Sequence, residues 1–549
     1  QVKDLTYQVV FNGMAINPGN SDLDAAARML AKLPGVKAVY PDTPHTTDLY
    51  TSTMLINAPA VWNVLGGREN AGAGVKFASM DGGVHKDSPM FSGAGYTYPN
   101  GFGPNGKGLI ANNNGKIITS RAYFRAWDPP QTSELGLSGC GDACAWPGPQ
   151  GTSHGVHTAS TAAGNVITDV VYNGYAVGTI SGVAPHAYVM SYKVFYGSVL
   201  GDGSFYNAEG IAALEDIAID GAEVLNNSWG GGPTSNGNLG DPLETALANT
   251  AASGVFISMS AGNAGPSSST TDHPLPDYIN VAATTSGGTL ADGYASVPPA
   301  APDLQIMPYG TAEFGPAIET GQVFTYTYVP ASVVAPANTT GCVAFPAGAF
   351  AGKAALISRG TCNFSAKTRN AQAAGAAFVI IYNNTGGDAI QNMSCGTTCD
   401  DITISTIMVG QDNGAAMIDW YNTQGEADAT VVLSGDAFSL GNTPDEVSSF
   451  SSRGPGVGQV LKPDIAAPGV NILAQGYTPS ATGEAQYLGY GQASGTSMAA
   501  PHVAGAAVLV RAAYPTWSNA AIKSALMSTA KYTDVYNFDG SPAQPLDMG

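Results

Sequence analysis

From residue 75 onward the chain alternates short apolar runs with segments of helical periodicity, and this alternation limits the possible folds more than any other feature. Residues 75–80 and 187–195 read as buried strands. A helix is predicted over 207–219, then a strand over 223–227. The next helix takes Asp241 as its cap and Pro242 as its first residue, stops at Gly254, and leads into a strand over 255–260. Two helices close the chain, one over 497–514 and one capped by Ser518. Strands that are apolar on both sides need cover on both faces, so the pattern predicts an α/β domain with a parallel sheet between helical layers. In such sheets, sites form at the carboxyl ends of the strands.

Between residues 300 and 433 the texture changes. Strand-like segments at 323–328, 354–358 and 378–382 predominate, with one short Ala-rich helix near 366–374. Because the βα pattern resumes at Val447, this stretch reads as a β-rich domain inserted into the α/β one. It contains four of the six cysteines and none of the seven histidines, so it is suited to binding rather than to catalysis. Residues 1–45 read as strand, helix, strand, with Ser21 as a cap and Pro34-Gly35 as a stop. That is too little surface to stand alone.

The net charge of −20 repels phosphate backbones and anionic lipid, which argues against nucleic acid and membrane surfaces as partners. No run of about 18 uninterrupted apolar residues is present to span a bilayer. The chain starts at Gln1, and any targeting peptide is expected upstream. Cysteines fall in close pairs, Cys140 with Cys144, Cys342 with Cys362 and Cys395 with Cys399. They read as three local disulfides of an oxidising compartment, although spacing alone does not set connectivity. Zinc is the alternative, but no histidine joins these pairs at ligand spacing.

Three weak signals for nucleophilic catalysis lie on this framework. Ser497, within Ser494-Gly495-Thr496-Ser497-Met498-Ala499-Ala500-Pro501-His502, sits at a predicted helix start, where free amides favour developing negative charge. His154 opens another predicted helix and is followed by Gly155, which permits a close approach. Asp81 ends the 75–80 strand beside Gly82-Gly83. Singly, these would pass for a helix cap, a structural histidine and a loop starter. Together, in the order Asp, His, Ser, they supply an orienting carboxylate, a general base and a hydroxyl nucleophile.

At these residues the sequence resembles the subtilase family of serine proteases. The segments around Asp81, His154, Asn263 and Ser497 are similar to its four signature regions. Ser451-Ser452-Arg453-Gly454-Pro455 and Leu461-Lys462-Pro463-Asp464-Ile465-Ala466-Ala467-Pro468-Gly469-Val470 are similar to a further family-specific run. The likeness extends over residues 46–549. Arg359-Gly360-Thr361-Cys362-Asn363-Phe364-Ser365-Ala366-Lys367, followed by Ala373-Ala374-Gly375-Ala376, resembles the core of the protease-associated domain that large subtilases carry as an insert. Residues 7–13 and 33–42 resemble the second half of the inhibitory prodomain, with its own cut expected near His45-Thr46.

The resemblance implies a subtilisin-like parallel sheet, split as 46–299 and 434–549, with a protease-associated domain over 300–433 and a partial prodomain over 1–45. It implies a secreted endopeptidase that binds extended protein segments and needs no cofactor for catalysis. Asp81 would orient His154, His154 would act as base and then acid, and Ser497 would attack. Asn263 would donate to the oxyanion beside the Ser497 amide. Ser228, Trp229 and Gly230 would pair with substrate and, with Gly262, wall the pocket for the side chain before the scissile bond. The prodomain would be an intramolecular inhibitor. His157 and His502 belong to family motifs as packing residues.

The chain departs from the family at Gly82, where Thr or Ser is usual, and at Val156, Thr158 and Ser160 after the histidine. The common calcium loop is not recognisable over 165–178, which leaves structural calcium open. A catalytically silent binding protein of the same fold is the competing reading. An α/β-hydrolase esterase would run Ser, Asp, His instead.

Overall fold

The computed structural model describes residues 2–7, 13–17, 29–30, 32–34, 36, 51–130, 152–200, 203–232, 240–298, 304–360, 362–384, 390–393, 395, 399, 401–476 and 488–549. The chain divides into two compact units, Gln1–Thr47 and Asp48–Gly549. In the first, Val2–Tyr7 pairs antiparallel with Gly13–Asn17, and Met29 and Leu30 are helical. The predicted helix start at Ser21 and the cut near His45-Thr46 lie outside the described residues.

The second unit is built on a twisted sheet. Its parallel part runs in the spatial order Lys107–Gly108, Ile117–Ala122, Tyr188–Lys193, Lys76–Asp81, Val224–Asn227, Phe256–Ser260, Ile279–Thr284, Ile465–Pro468. Lys76–Asp81 is therefore central, with later strands added first on one side and then on the other, and Asp81 lies at its carboxyl end. Helices Ser153–Ala163 and Thr496–Ala513 cover one face, where Val156, Ala159, Val503, Ala507 and Val508 pack with Phe77, Val189 and Val224. On the other face, Leu214 and Ile217 of Asn207–Asp220, and Leu243 and Leu247 of Pro242–Ala252, bury Ala78, Met80 and Met190. Both faces are dry, which is why the strands lack polar alternation. Asp241 caps its helix by accepting from the Leu243 amide at 2.7 Å, and Ser518 caps the last long helix through Ala521 N. No helix of the described residues is long and apolar enough to cross a membrane.

The inserted region folds as a closed barrel, in the order Gly293–Ser296, Met307–Thr311, Thr406–Val409, Phe378–Tyr382, Ala354–Ser358, Val323–Pro330, Thr430–Ser434 and back to Gly293–Ser296. Ala354, Leu356, Phe378 and Ile380 face one apolar cluster, while Ala355, Ile357, Val379 and Ile381 face another. This period of two explains the continuous apolar runs. The barrel begins at Gly293 rather than 300, because its first strand completes the closure by pairing with both Met307–Thr311 and Thr430–Ser434. The predicted helix is observed as Phe364–Ala373, and the barrel carries a further helix, Gln411–Gln424, which buries Met417 and ends at Gly425 with φ 86°. Gly288–Ala291 and Phe438–Gly441 pair as the neck of the insertion.

Cys342–Cys362 and Cys395–Cys399 are disulfides, and the described residues hold no free cysteine. Zinc thereby loses these four as ligands. Cys140 and Cys144 lie outside the described residues.

Candidate active site

Asp81 is 1% exposed and carries a dense set of donors. The Gly82 amide donates to Oδ1 at 2.6 Å and Thr158 Oγ1 donates to Oδ2 at 3.2 Å. His154 Nδ1 lies 2.9 and 3.0 Å from the two oxygens. A carboxylate can only accept, so Nδ1 carries the proton and Nε2 is left as an acceptor. Burial pulls the His154 pKa down, but the charge and hydrogen bond of Asp81, helped by the charge of Glu313, outweigh it and set it above the ordinary value.

Backbone geometry holds this pair. Thr152 caps the His154 helix by accepting from Gly155 N at 3.2 Å, and its own amide donates to Gly82 O at 3.1 Å. A Cβ at residue 82 would lie 2.0 Å from Thr152 Oγ1, so the cap occupies the space that a side chain would need there. A Cβ on Gly155 would lie 2.4 Å from Gly83 O. The close approach that Gly155 permits is thus made by the turn after Asp81.

Ser497 lies in the first turn of Thr496–Ala513. Its Oγ donates to Ser228 O at 3.2 Å, and Ser228 Oγ donates to Ser497 O at 2.7 Å. No hydrogen bond joins Ser497 to His154 in this structure. Asn263 Oδ1 accepts from the Thr496 amide and hydroxyl, both at 2.9 Å. That leaves its Nδ2 free to turn toward Gly495, where an added Cβ would lie 3.5 Å from Asn263 Nδ2 and 3.6 Å from Ser497 N. Two donors therefore border one small space. Ser452 braces the Asn263 turn, accepting from Ala264 N at 3.0 Å and donating its amide to Gly262 O at 3.0 Å.

Ser228 is buried, and the Trp229 indole is a core residue, edge-on to Phe205 and His273 and donating to Asn227 Oδ1 at 3.1 Å. Any substrate contact at 229 thus falls to its backbone. Asp272 lies beneath the predicted pocket walls. A Cβ on Gly230 would meet its Oδ2 at 2.3 Å and one on Gly262 (φ 99°) at 3.3 Å. A second carboxylate–imidazole pair, Glu244 with His273 at 2.8 Å, is wholly buried, and His273 Nε2 lies 3.0 Å from Trp229 O. It braces the wall and has no access to substrate. His157 and His502 are likewise buried on backbone carbonyls, with burial pushing their pKa values to about 3 and about 4.

His154, Asn263, Ser497 and Met498 line a cavity of about 150 Å³, whose remaining wall includes Thr311, Glu313 and Asn392 of the inserted barrel. Neither Thr158 nor these barrel residues are signalled by any local pattern. Over the stretch where the family's calcium loop is expected, a hairpin pairs Ile167–Tyr172 with Tyr175–Ile180 across Asn173-Gly174, both at positive φ. Among the described residues, no group of three or more His, Cys, Asp or Glu is placed to hold a metal.

A model of the Peptidase_S8 (subtilase) family matches residues 72–544. The chain is 29% identical to subtilisin-like protease SBT1.3 of Arabidopsis thaliana, with 99% of this chain and 69% of that protein covered. It is 30% identical to SBT1.9 of the same plant, covering 94% and 67%. It is also 30% identical to minor extracellular protease Vpr of Bacillus subtilis (strain 168), covering 95% and 57%.

Proposed function

The chain belongs to the subtilase family of serine proteases, and on that premise we propose that it is a secreted endopeptidase that cuts extended protein segments through an acyl-enzyme on Ser497. The observation that carries this reading is the Asp81–His154 pair opening, with Asn263 and Ser497, onto one cavity. Attack requires the Ser497 hydroxyl to exchange its Ser228 carbonyl partner for His154 Nε2, a side-chain rotation of the kind catalytic groups make on binding substrate. His154 takes the proton while Asp81 stabilises the imidazolium. The tetrahedral oxyanion is received by Asn263 Nδ2 and the Ser497 amide at the positive end of the helix. The imidazolium then protonates the leaving amine, and water repeats the sequence on the acyl-enzyme.

The Ser228–Gly230 segment supplies the edge on which substrate adds as a strand. Residues 1–45 act as the inhibitory prodomain, and the barrel as a protease-associated domain. Secretion is supported by the disulfides and by a relative named for its extracellular location. Catalysis uses no cofactor, and structural calcium has no assigned place. The silent-protein alternative has no support from the relatives, which are proteases by name.

A fluorophosphonate probe, applied after removal of residues 1–45, should label Ser497. Ser497→Ala should lose both labelling and casein cleavage with unchanged circular dichroism. Labelling elsewhere, or casein cleavage surviving in Ser497→Ala, would refute the assignment.

A further inference from the structure

The cavity that holds His154 and Ser497 is completed by a carboxylate from the inserted barrel, which raises the His154 pKa through its charge but touches no reacting atom in the mechanism. We propose that Glu313 makes this cavity a subsite for a lysine or arginine side chain on the leaving-group side of the scissile bond. The barrel then helps to choose which bonds are cut. This inference rests on the serine-protease reading of the same site.

The backbone fixes Glu313 in place. Its amide donates to Met393 O at 3.0 Å, the Ala312 amide donates to Thr406 O at 3.2 Å, and Ala312 bridges Met393. One carboxylate oxygen accepts from the amide of Cys395, which is cross-linked to Cys399. The other oxygen is neither hydrogen-bonded nor sealed from solvent.

Among the described residues, no lysine or arginine lines the cavity and none forms an ion pair with Glu313. The barrel's own cations are engaged elsewhere: Lys353 on Glu426, Arg359 on Asn383, Lys367 on Thr340 O and Arg369 on Asp401. At pH 8 His154 is largely neutral, so a half-buried carboxylate with one amide donor and no lysine or arginine partner invites a cation from outside. Burial raises the carboxyl pKa of Glu313, although the Cys395 amide and the charge of His154 work against the rise.

The side of the bond follows from the lining. His154, which hands its proton to the leaving amine, is in this cavity, whereas Ser228–Gly230, which would hold the residue before the bond, is not. At about 150 Å³ it falls below the roughly 300–1,000 Å³ of drug-sized ligand sites and matches a single extended side chain.

The test uses the full chain, activated by removal of residues 1–45, and four internally quenched peptides that differ only in the residue after the scissile bond: Lys, Arg, norleucine or Glu. Cut positions are checked by mass spectrometry. At pH 8 and low salt, kcat/KM for Lys and Arg should exceed that for norleucine about tenfold, from one charge-assisted contact, and that for Glu by more. Glu313→Gln should bring the Lys/norleucine ratio within about twofold of one, and Glu313→Lys should favour the Glu peptide. Equal rates for the four peptides with the unsubstituted protein would overturn the inference without any variant. So would a Glu313→Gln protein that slows all four peptides by one factor, which would make Glu313 a support for His154 alone. Ser497 labelling is measured on the same sample. A protein that labels without charge preference refutes only the Glu313 subsite, whereas one that neither labels nor cleaves refutes the protease reading beneath it.

Discussion

Asp292, at the entry to the barrel, is fully buried and accepts from four donors: Tyr172 Oη, Thr311 N and Thr311 Oγ1 (both at 2.6 Å), and Asn392 Nδ2 at 2.8 Å. Tyr172 belongs to the hairpin after the His154 helix, whereas Thr311 and Asn392 belong to the inserted region, so this carboxylate joins the two bodies below the cavity. Asp292→Ala leaves the four donors without an acceptor. Each costs about 1 kcal/mol at the low end of the range, which applies because water can enter from the adjacent cavity. Against this, burial raises the Asp292 pKa, so removing the carboxylate recovers part of its desolvation penalty. The net loss is about 3 kcal/mol, or about a hundredfold in the opening equilibrium of the barrel. Native-state hydrogen exchange reads it directly, in a Ser497→Ala background that prevents self-digestion. Amides of Met307–Thr311 and Thr406–Val409 should exchange about a hundredfold faster, while those of Lys76–Asp81 change little. Acceleration below about fivefold, or equal acceleration in the central sheet strands, would refute the view that this node holds the barrel.

Because Asp81 and Glu313 hold the His154 pKa above its ordinary 6.5, kcat/KM should fall with decreasing pH along a limb whose midpoint lies above about 6.5. Removing either carboxylate, by Asp81→Asn or Glu313→Gln, should move that limb to lower pH; a pH–rate profile unmoved by both changes would contradict the electrostatics. Asp81→Asn should also lower kcat by about 10³–10⁴-fold through loss of the tautomer that leaves Nε2 free. Gly155→Ala forces a methyl to 2.4 Å from Gly83 O, and a shift of the His154 helix by even a fraction of an ångström should lower kcat up to about 10²-fold. Unchanged turnover would show that the turn yields freely. Replacing Cys342 and Cys362 by Ser, positions 20 residues apart, should destabilise the barrel by about 3 kcal/mol in urea unfolding, with little change in Ser497 labelling.

Much of the site was legible because each group occupies a local position with its own signature. Asp81 ends an apolar strand, His154 and Ser497 begin helices marked by small residues and caps, and Asn263 follows a strand within a recognisable run. Cys342–Cys362 and Cys395–Cys399 join the cysteines that lie close in sequence, although spacing alone left the connectivity open. The helix Gln411–Gln424 is not legible in the sequence even though Gly425 marks its end, because its apolar residues follow a polar first turn and the surrounding texture is β-rich. The sequence puts Trp229 in the pocket wall without saying which part of it; Phe205 and His273, from other elements, hold its indole in the core and leave the wall to its backbone.

What the amino-acid sequence determines by itself is the set of local commitments. Strands apolar on both sides demand two covered faces, and a parallel sheet then brings its carboxyl ends, with Asp81 among them, to one edge. Tertiary structure decides which groups meet across long separations, as when Thr496 pins Asn263 from 233 residues away. It also decides that Thr158 turns its hydroxyl to Asp81, that Ser497 rests on the Ser228 carbonyl, and that Glu313 enters the cavity of His154. Hydrophobic periodicity reports only whether a side chain faces a core. The partner of a polar group depends on the placement of a whole barrel relative to a sheet, and no periodicity encodes that placement.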